Sequence, residues 1–314
     1  ENACKTPKYS ASCAAMSHDL SRILLTGSNG QVGRALQLAL PQSALITTDR
    51  NKLNLANPDS IRNTIRDCRP TLIINAAAYT AVDRAENEAA LAMTVNGFAP
   101  GVLAEEAKRL NATLVHYSTD YVFDGSKSTA YTETDTPNPL SVYGTTKLAG
   151  EQAIQAVGAA HYILRTSWVY AAEGTNFMNT ILRLSRERPE LRIVDDQIGA
   201  PTWARAIADM TAQILAAGAR DAHARQGLYH FTAMGAVTWC GFARAILDTA
   251  QKISGTAPPR LTPITTAEYP LPARRPANSR LATARFTAAF GVKPAPWQDM
   301  LEQCLQEKFS AHNS

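Results

Sequence analysis

The chain has 314 residues, of which 45% are hydrophobic and 18% are charged, and its formal net charge is +4 at pH 7. This composition is typical of an ordinary globular protein, and its scattered lysines and arginines do not form the concentrated basic face of a nucleic-acid-binding protein. Apolar runs stay shorter than the roughly 18 residues of a membrane span, and no cysteine pair forms C-x-x-C. We therefore expect a cytoplasmic protein without nucleic-acid or membrane partners.

The start of the chain differs from the rest. Residues 1–15 are polar, contain Lys5 and Lys8, and lack the apolar core of a signal peptide. Met16 resembles a native start. We therefore expect residues 1–20 to be a disordered leader or tag outside the fold.

Apolar strands alternate with helical segments over residues 21–170. The first strand, Ile23-Leu24-Leu25-Thr26, is followed by a glycine turn and a helix that ends at Pro41, and further strands are expected near 44–48, 72–74, 113–117 and 162–165. Near-continuous apolar strands separated by helices indicate a parallel sheet covered on both faces. We predict an α/β fold in which a doubly wound parallel sheet of the Rossmann type binds NAD(P).

The second half of the chain is less regular. Short strands are expected near 192–194 and 229–231, a helix near 177–188, and residues 253–296 are rich in proline. Ligands of open α/β sheets bind at the carboxyl ends of the strands. We predict that residues 171–314 are mainly a smaller α/β substrate-binding lobe over that edge, with some segments returning to the Rossmann domain.

The glycine turn is the first candidate site. Gly27, Gly30 and Gly33 are spaced three residues apart between a strand and a helix, and Gln31 and Val32 lie at the start of that helix. Glycine allows close approach of the backbone to a pyrophosphate, and the start of a helix offers free N–H groups. The turn therefore predicts dinucleotide binding.

Two further segments are expected to contact the cofactor. Asp49-Arg50 ends the second strand, where a carboxylate suits the ribose 2′-hydroxyl of NADH and a guanidinium suits the 2′-phosphate of NADPH. Both charges are present, so we predict use of both cofactors with NADPH slightly preferred. Ala76-Ala77-Ala78-Tyr79 follows the third strand, where small side chains would let the cofactor pass, although a tight strand–helix junction gives the same pattern.

Tyr143 and Lys147 are candidate catalytic residues. Of the ten tyrosines, only Tyr143 has a lysine four residues later, and on a helix that spacing places both side chains on one face. A nearby ammonium favours the phenolate, so we expect Lys147 to lower the pKa of Tyr143 from its usual value near ~10. The pair would then act as an acid/base group.

Thr119 and Asp120 follow the fourth strand at the same sheet edge. The Thr119 hydroxyl could orient a substrate carbonyl and Asp120 could accept from a sugar hydroxyl, although most isolated Ser-Thr-Asp triplets form an Asx or ST turn. Together with Tyr143 and Lys147, these residues predict transfer of a hydride from the cofactor to a ketone, with Tyr143 protonating the alkoxide.

With these features, the chain resembles the extended short-chain dehydrogenase/reductase superfamily and, within it, the dTDP-4-dehydrorhamnose reductase family. The resemblance covers residue 22 to about 300. The glycine turn and Tyr-x-x-x-Lys are shared by the superfamily, whereas the other segments are more specific to this family. The matching segments are Gly27–Gly33, Asn75–Ala85, His116–Gly125, Val142–Glu151, Arg165–Tyr170, Asp196–Thr202 and Arg275–Leu281.

The resemblance implies a reaction and roles for further residues. Enzymes of this family use NADPH or NADH to reduce the C4 ketone of dTDP-4-dehydro-β-L-rhamnose to dTDP-L-rhamnose, a precursor of bacterial surface polysaccharides. It implies that Tyr143 is the proton donor, Lys147 its partner, and that Thr119 and Asp120 contact the sugar. Trp168 would pack on the substrate, with core packing as the alternative.

Arg275 and Ser279 belong to the last matching segment. The resemblance implies that they reach the substrate or its diphosphate, and the charge of Arg275 suits an anion clamp.

The chain departs from the family pattern at one position that bears on metal binding and on assembly. Many relatives have an acidic residue where this chain has Ala35, and in some of them that acid helps to hold Mg²⁺ at a dimer contact. The resemblance therefore raises Mg²⁺ and a homodimer as expectations, and Ala35 weakens both.

Two alternative functions are considered. The first is another nucleotide-sugar enzyme of the superfamily, an epimerase or 4,6-dehydratase; dehydratases tend to have Glu after the Thr-Asp pair, whereas this chain has Tyr121. The second is a non-catalytic NADP-binding regulatory subunit, which the presence of Thr119, Tyr143 and Lys147 disfavours. Reductases consume NADPH stoichiometrically, whereas the first alternative recycles its NAD.

Overall fold

The computed structural model describes residues 20–218, 225–255 and 257–310, so the predicted leader lies outside the described residues except for Leu20. The helices are α1 (Gln31–Ala39), α2 (Pro58–Cys68), α3 (Val82–Ala85), α4 (Ala89–Met93), α5 (Ala99–Leu110), α6 (Val142–Val157), α7 (Phe177–Glu187), α8 (Ala204–Gly218), α9 (Trp239–Ser254), α10 (Ala284–Phe290) and α11 (Trp297–Ser310). The strands are β1 (Ile23–Thr26), β2 (Leu45–Thr48), β3 (Leu72–Asn75), β4 (Thr113–Thr119), β5 (His161–Thr166), β6 (Val169–Tyr170), β7 (Glu190–Val194), β8 (Ile198–Gly199), β9 (Thr202–Trp203), β10 (Gly227–His230), β11 (Val237–Thr238) and β12 (Arg260–Ile264).

Six strands form the central sheet in the order β10-β5-β4-β3-β1-β2, and every neighbouring pair is parallel. The connection from β2 crosses back over β1 to reach β3, so the strand order reverses between β1 and β3. Ligands of such sheets bind at this switch point. The predicted doubly wound parallel sheet is confirmed.

The two faces of the sheet pack against different helices because successive side chains along each strand point to opposite faces. Ile23 and Leu25 of β1 belong to an apolar cluster with α1 and α8, where Ile207 is fully buried. Leu24 lies on the other face in a cluster with α2, α5 and α6, where Ile154 is fully buried. Both faces are therefore covered.

The C-terminal half contains a third apolar cluster. Phe242 of α9 and Leu301 of α11 are buried in it with Leu182 of α7. Three two-stranded sheets, β11-β8, β12-β7 and β6-β9, lie in the same half of the chain. In contrast, α8 packs on α1 and β10 joins the central sheet, so segments of this half do return to the Rossmann sheet. The boundary at residue 170 stays a prediction.

The stretch from 82 to 110 consists of several short helical segments. A π-helix, Thr94–Phe98, separates α4 from α5. Within it, the buried Asn96 side chain accepts a hydrogen bond from Tyr79 N at 2.8 Å and donates to Tyr79 O at 3.0 Å. π-Helical turns often occur at functional sites, and this one fixes the segment that follows β3.

Within residues 20–218, 225–255 and 257–310, no helix is long and apolar enough to cross a membrane.

Candidate active site

A cavity of about 920 Å³ lies at the carboxyl ends of β1, β3 and β4, beside the topological switch point. All the residues predicted to bind the cofactor line it, except Gly33. The lining residues from that set are Gly27, Gly30, Gln31, Val32, Asp49, Arg50, Ala76, Ala77, Ala78, Tyr79, Tyr143 and Lys147. The structure therefore brings together residues that are up to 120 positions apart in the chain.

The glycine turn has the geometry that a pyrophosphate requires. Gly27 has a left-handed φ of +69°, and a Cβ at Gly33 would lie 2.1 Å from the Gly27 carbonyl oxygen. The N-cap of α1 is Gly30, which provides no side-chain hydrogen bond, so the first N–H groups of α1 are open to an anion at the cavity wall. Gly33 contributes by allowing this turn to pack tightly.

Asp49 and Arg50 lie beside the cavity at the end of β2. Asp49 Oδ1 accepts hydrogen bonds from Asn51 N at 3.0 Å and Lys52 N at 3.1 Å, which fixes the turn after the strand. The Arg50 side chain is exposed. The negative charge of Asp49 and the positive charge of Arg50 therefore lie at the same wall of the cavity. The predicted use of both NADH and NADPH requires this arrangement.

Tyr143 and Lys147 lie in the first turns of α6. The helix begins at a Ser141 cap, whose hydroxyl accepts from Gly144 N at 3.2 Å. A Cβ at Gly144 would lie 2.2 Å from the carbonyl oxygen of Tyr121, so this end of the helix packs directly on the segment after β4. That close packing brings Tyr143 next to Thr119, whose side chain acts on the pKa of the phenol.

Lys147 does not lower the pKa of Tyr143 in this structure, so that expectation is wrong. The Lys147 ammonium donates to the Tyr117 carbonyl at 2.6 Å and lies 3.2 Å from His116 Nε2. Burial raises the pKa of Tyr143 to about 12; the hydrogen bond with Thr119 opposes this shift and the charge of Asp120 adds to it. The phenol is therefore protonated at neutral pH.

Burial also changes the pKa of the lysine itself. It lowers the pKa of Lys147 to about 8, and the charge of Glu151 partly offsets this effect. Lys147 is only 2% exposed, so its ammonium depends on protein partners to stay charged.

Thr119 and Asp120 form a buried polar corner at the end of β4. The Thr119 hydroxyl accepts from Tyr121 N at 3.2 Å and donates to Asp120 Oδ1 at 3.1 Å, which is the predicted ST-type turn. Burial raises the pKa of Asp120 to about 7, while hydroxyls of Ser279 and Thr119 oppose the rise. The corner thus serves as both turn and candidate ligand site.

The Asp120 carboxyl and the Ser279 hydroxyl are unusual because both are buried and incompletely paired. Asp120 Oδ2 and Ser279 Oγ make no hydrogen bond of normal geometry in the described part of the chain. Buried polar atoms without partners are costly and rare. Because the Ser279 hydroxyl acts on the Asp120 carboxyl, the two groups lie together, and they are candidate partners for the polar groups of a ligand.

Trp168 is held by its neighbours. Its backbone is left-handed, with φ +46°, and its indole stacks on Trp239 at 3.4 Å with an interplanar angle of 4°. A Cβ at Gly199 would lie 2.5 Å from the Trp168 ring. These contacts correspond to the packing alternative, and the predicted contact of Trp168 with the substrate stays a prediction.

Arg275 is engaged by an acidic residue of α3. Its guanidinium donates to both carboxylate oxygens of Asp83, at 3.0 Å and 2.8 Å, and this pairing lowers the pKa of Asp83. The positive charge of Arg275 also acts on the pKa of its neighbour Tyr121, where it opposes the rise that burial causes. In this structure it therefore joins α3 to the segment after β4, and its role as an anion clamp stays a prediction.

Comparison with known proteins identifies the family. A family model described as the RmlD substrate binding domain matches residues 21–309. A dTDP-4-dehydrorhamnose reductase of Burkholderia thailandensis is 46% identical, covering 92% of this chain and 99% of that protein. The chain belongs to the dTDP-4-dehydrorhamnose reductase family. A reductase of the same name from Escherichia coli K12 is 44% identical, covering 92% of this chain and 98% of that protein.

A solved structure supports the same family. The crystal structure of a dTDP-4-dehydrorhamnose reductase from Bacillus anthracis in complex with NADP has a TM-score of 0.84 and 33% sequence identity, covering 91% of this chain and 99% of that one. The overlap includes both the central sheet and the C-terminal half.

Ala35 is the departure that bears on metal binding in this family. It is buried in the apolar cluster between the sheet and α1, where it also lines the cavity. In the described residues, no three His, Cys, Asp or Glu side chains form a group that could hold a metal ion. The expectations of Mg²⁺ and of a homodimer stay untested predictions.

Sequence reasoning missed two residues of this site. His116 was assigned only to a strand, although a histidine interrupts an otherwise apolar run there and lies beside Lys147. Trp239 was not singled out, and its stacking on Trp168 joins positions 71 residues apart. The histidine within an apolar strand is a local signal for His116, whereas no local pattern in the sequence indicates Trp239.

Proposed function

We propose that this chain is an oxidoreductase acting on CH–OH groups that uses NADPH, and also NADH, to reduce the C4 ketone of dTDP-4-dehydro-β-L-rhamnose to dTDP-L-rhamnose. The family match over residues 21–309 carries this proposal, and the position of Tyr143 in the cavity wall with Thr119 beside it supports the proposal. The reaction is the last step in making activated rhamnose for surface polysaccharides.

The residues present fit a dinucleotide. The tight turn at Gly27 and Gly33 and the uncapped start of α1 form a cradle for a pyrophosphate. When bound, the nicotinamide cofactor supplies the hydride. Lys147 lines the same cavity and would hold the nicotinamide ribose.

The remaining site residues would bind, orient and protonate the sugar. Thr119 orients the carbonyl, and Tyr143 donates its phenolic proton to O4 as negative charge develops there. A phenol with a pKa of about 12 is in the protonated form that a donor needs at neutral pH, and an alkoxide is a stronger base than a phenolate. Asp120 and Ser279 would receive the sugar hydroxyls, since their unpaired atoms are buried at this corner.

The main alternative is a nucleotide-sugar epimerase or 4,6-dehydratase. Such an activity needs further acid/base groups at neighbouring carbons. The residue after Asp120 is Tyr121, whose ring lies edge-on to Tyr143 at 5.7 Å and whose pKa is raised by burial. This geometry favours the reductase over the dehydratase. The other alternative, a non-catalytic NADP-binding regulatory subunit, would need neither a proton donor at Tyr143 nor a hydroxyl beside it at Thr119.

The test is direct. The protein is mixed with the dTDP-keto-sugar and either NADPH or NADH, cofactor oxidation is followed by absorbance, and the sugar product is identified. We expect one cofactor oxidised for each dTDP-L-rhamnose formed. Turnover without net cofactor oxidation would instead support an epimerase or dehydratase, and cofactor binding without turnover would support the regulatory subunit.

Partners and location follow from this proposal. We expect a cytoplasmic enzyme that acts on a dTDP-sugar, without nucleic-acid or membrane partners. A homodimer is the assembly to be tested by light scattering, with and without Mg²⁺.

A further inference from the structure

Three polar residues form a row across the carboxyl end of the sheet. Thr26 of β1 is in register with Asn75 of β3, and Asn75 is in register with His116 of β4. Each is 1% exposed, and each belongs to the same sheet face as Leu24, which packs toward α6. The row therefore interrupts an apolar layer directly beneath the helix that carries Tyr143.

The row ends at Lys147. Thr26 Oγ1 lies 2.7 Å from Asn75 Oδ1, Asn75 Nδ2 lies 3.0 Å from His116 Nδ1, and His116 Nε2 lies 3.2 Å from Lys147 Nζ. Because the four side chains are within hydrogen-bond distance in series, the state of one constrains the next.

The ammonium determines the direction of these bonds. A lysine ammonium can only donate, so His116 Nε2 must accept, and a neutral imidazole then carries its proton on Nδ1. In the structure the Thr26 hydroxyl donates to Asn75 Oδ1 and Asn75 Nδ2 faces His116 Nδ1. A proton on Nδ1 requires the Asn75 amide to be turned by 180°, so that its oxygen accepts from Nδ1 and its nitrogen donates to the Thr26 hydroxyl. The assignment of the amide oxygen and nitrogen follows from this network. Burial and the charge of Lys147 hold the pKa of His116 well below its usual value, which keeps the imidazole neutral.

We propose that His116 is a positioning residue for Lys147, whose neutral imidazole, backed by Asn75 and Thr26, accepts a hydrogen bond that keeps the buried ammonium charged and in place at the cavity wall. This inference rests on the proposed function, because a charged Lys147 matters only if it holds the nicotinamide ribose. The Tyr117 carbonyl fixes the position of the ammonium from a second side.

Few other charges act on Lys147. Glu151, one turn further along α6, favours the ammonium but is itself bound by Arg165 at 2.6 Å, with both side chains buried. Tyr143 faces the same cavity from the preceding turn and is protonated at neutral pH. His116 from β4 is therefore the titratable side chain that contacts the ammonium directly, as an uncharged acceptor.

This arrangement has a measurable consequence. The pKa of Lys147 is about 8, so a cofactor held by its ammonium should bind with constant affinity below that pH and more weakly above it. Removal of the His116 acceptor disfavours the charged form. The pH at which affinity begins to fall should then move down by about one unit, the size expected for one lost hydrogen bond to a charged group.

The test measures NADPH affinity by fluorescence from pH 6 to pH 10 for the wild type, His116→Leu and His116→Gln. Leucine removes the acceptor, whereas the glutamine carbonyl can replace it. His230→Leu is the matched control, because His230 is equally buried but contacts the Tyr131 carbonyl from β10 instead of Lys147. Thermal unfolding of each variant reports the loss of packing separately.

The outcomes are distinct. We expect a downward shift for His116→Leu, recovery for His116→Gln, and an unshifted profile for His230→Leu despite its lower stability. An unshifted His116→Leu profile, or equal shifts in the leucine and glutamine variants, would overturn the proposal. If His116→Leu does not fold, an unshifted profile in Asn75→Ala, which removes the acceptor of Nδ1–H, would overturn it as well. The titration needs no sugar, so it can succeed even if the proposed reaction is wrong.

Discussion

The proposed cofactor side and the proposed sugar side of the site are built in different ways: the cofactor residues line the cavity, whereas Asp120 and Ser279 are buried outside its lining. The cofactor side consists largely of backbone, with glycines and alanines that allow close approach, as at Gly27 and Ala77. The sugar side consists of buried side chains, two of which, Asp120 and Ser279, have unpaired atoms. The first side binds through its shape and through the backbone N–H groups that the start of α1 leaves uncapped. The second is incomplete in its hydrogen bonding, so it should be the side that discriminates between ligands.

The largest expected effect comes from Tyr143, which lies where the two sides meet. Tyr143→Phe removes the proton donor but keeps the ring, so we expect kcat to fall by at least ~100-fold. NADPH affinity should stay near the wild-type value, because the ring is kept and Lys147, which would hold the nicotinamide ribose, is unchanged. Steady-state kinetics with the dTDP-keto-sugar and a fluorescence titration measure the two quantities, and near-normal turnover would remove Tyr143 from the chemical step.

The second prediction tests whether the cofactor side is indeed a backbone structure. In Gly33→Ala the new Cβ would lie 2.1 Å from the Gly27 carbonyl oxygen. We expect a loss of stability of about 1–3 kcal/mol from overpacking and a loss of NADPH affinity of about tenfold or more, because the turn must open. Denaturant unfolding and the same titration provide the measurements.

Gly30→Ala is the matched control for packing. A Cβ there would lie 3.3 Å from the Gly27 carbonyl oxygen, with no second contact within 4 Å. We expect its stability without cofactor to stay close to that of the wild type. Equal destabilisation by the two substitutions would show that the close contact at Gly33 is not what shapes the turn.

The third prediction concerns the sugar side and its pH dependence. An aspartate has a pKa near ~3.9 in the unfolded chain, and burial raises that of Asp120 to about 7 in the fold. The folded state therefore binds this proton more tightly, and its stability falls as the pH rises from about 4 to about 7. Asp120→Asn removes this titration, so the variant should gain stability relative to wild type over that range, by a few kcal/mol at most.

Urea unfolding at several pH values between 4 and 7 measures the effect. Parallel stability curves for the wild type and Asp120→Asn would contradict a raised pKa at this residue. The KM for the sugar reports separately on substrate contact, and we expect it to rise in Asp120→Asn while the KM for NADPH does not change.

The sequence could predict the parts of the site that depend on local spacing, but not those that depend on tertiary contacts. The glycine spacing and the Tyr143–Lys147 spacing are local, and local backbone rules convert each into a position on a turn or a helix. The contact between Lys147 and His116 joins residues 31 positions apart, and that between Arg275 and Asp83 joins residues 192 apart. Such pairs depend on tertiary packing, which is why local spacing predicts neither the partners of Lys147 nor the raised pKa of Tyr143.

The smallest expected effect concerns the choice of cofactor at the edge of the cavity. Arg50 is exposed, so its attraction for a 2′-phosphate is screened by solvent and should be worth only about 1 kcal/mol or less. We expect Arg50→Ala to lower kcat/KM for NADPH by about fivefold and to leave that for NADH unchanged.

Asp49→Asn tests the negative charge at the same wall, as Arg50→Ala tests the positive one. The amide oxygen can still accept the hydrogen bonds from Asn51 N and Lys52 N that fix the turn, while the negative charge is lost. The variant should therefore favour NADPH further, since repulsion between the carboxylate and the 2′-phosphate is removed. If both variants keep the wild-type ratio of NADPH to NADH use, the charges of Asp49 and Arg50 do not select the cofactor. Selection would then depend on the shape of the backbone that lines the cofactor side.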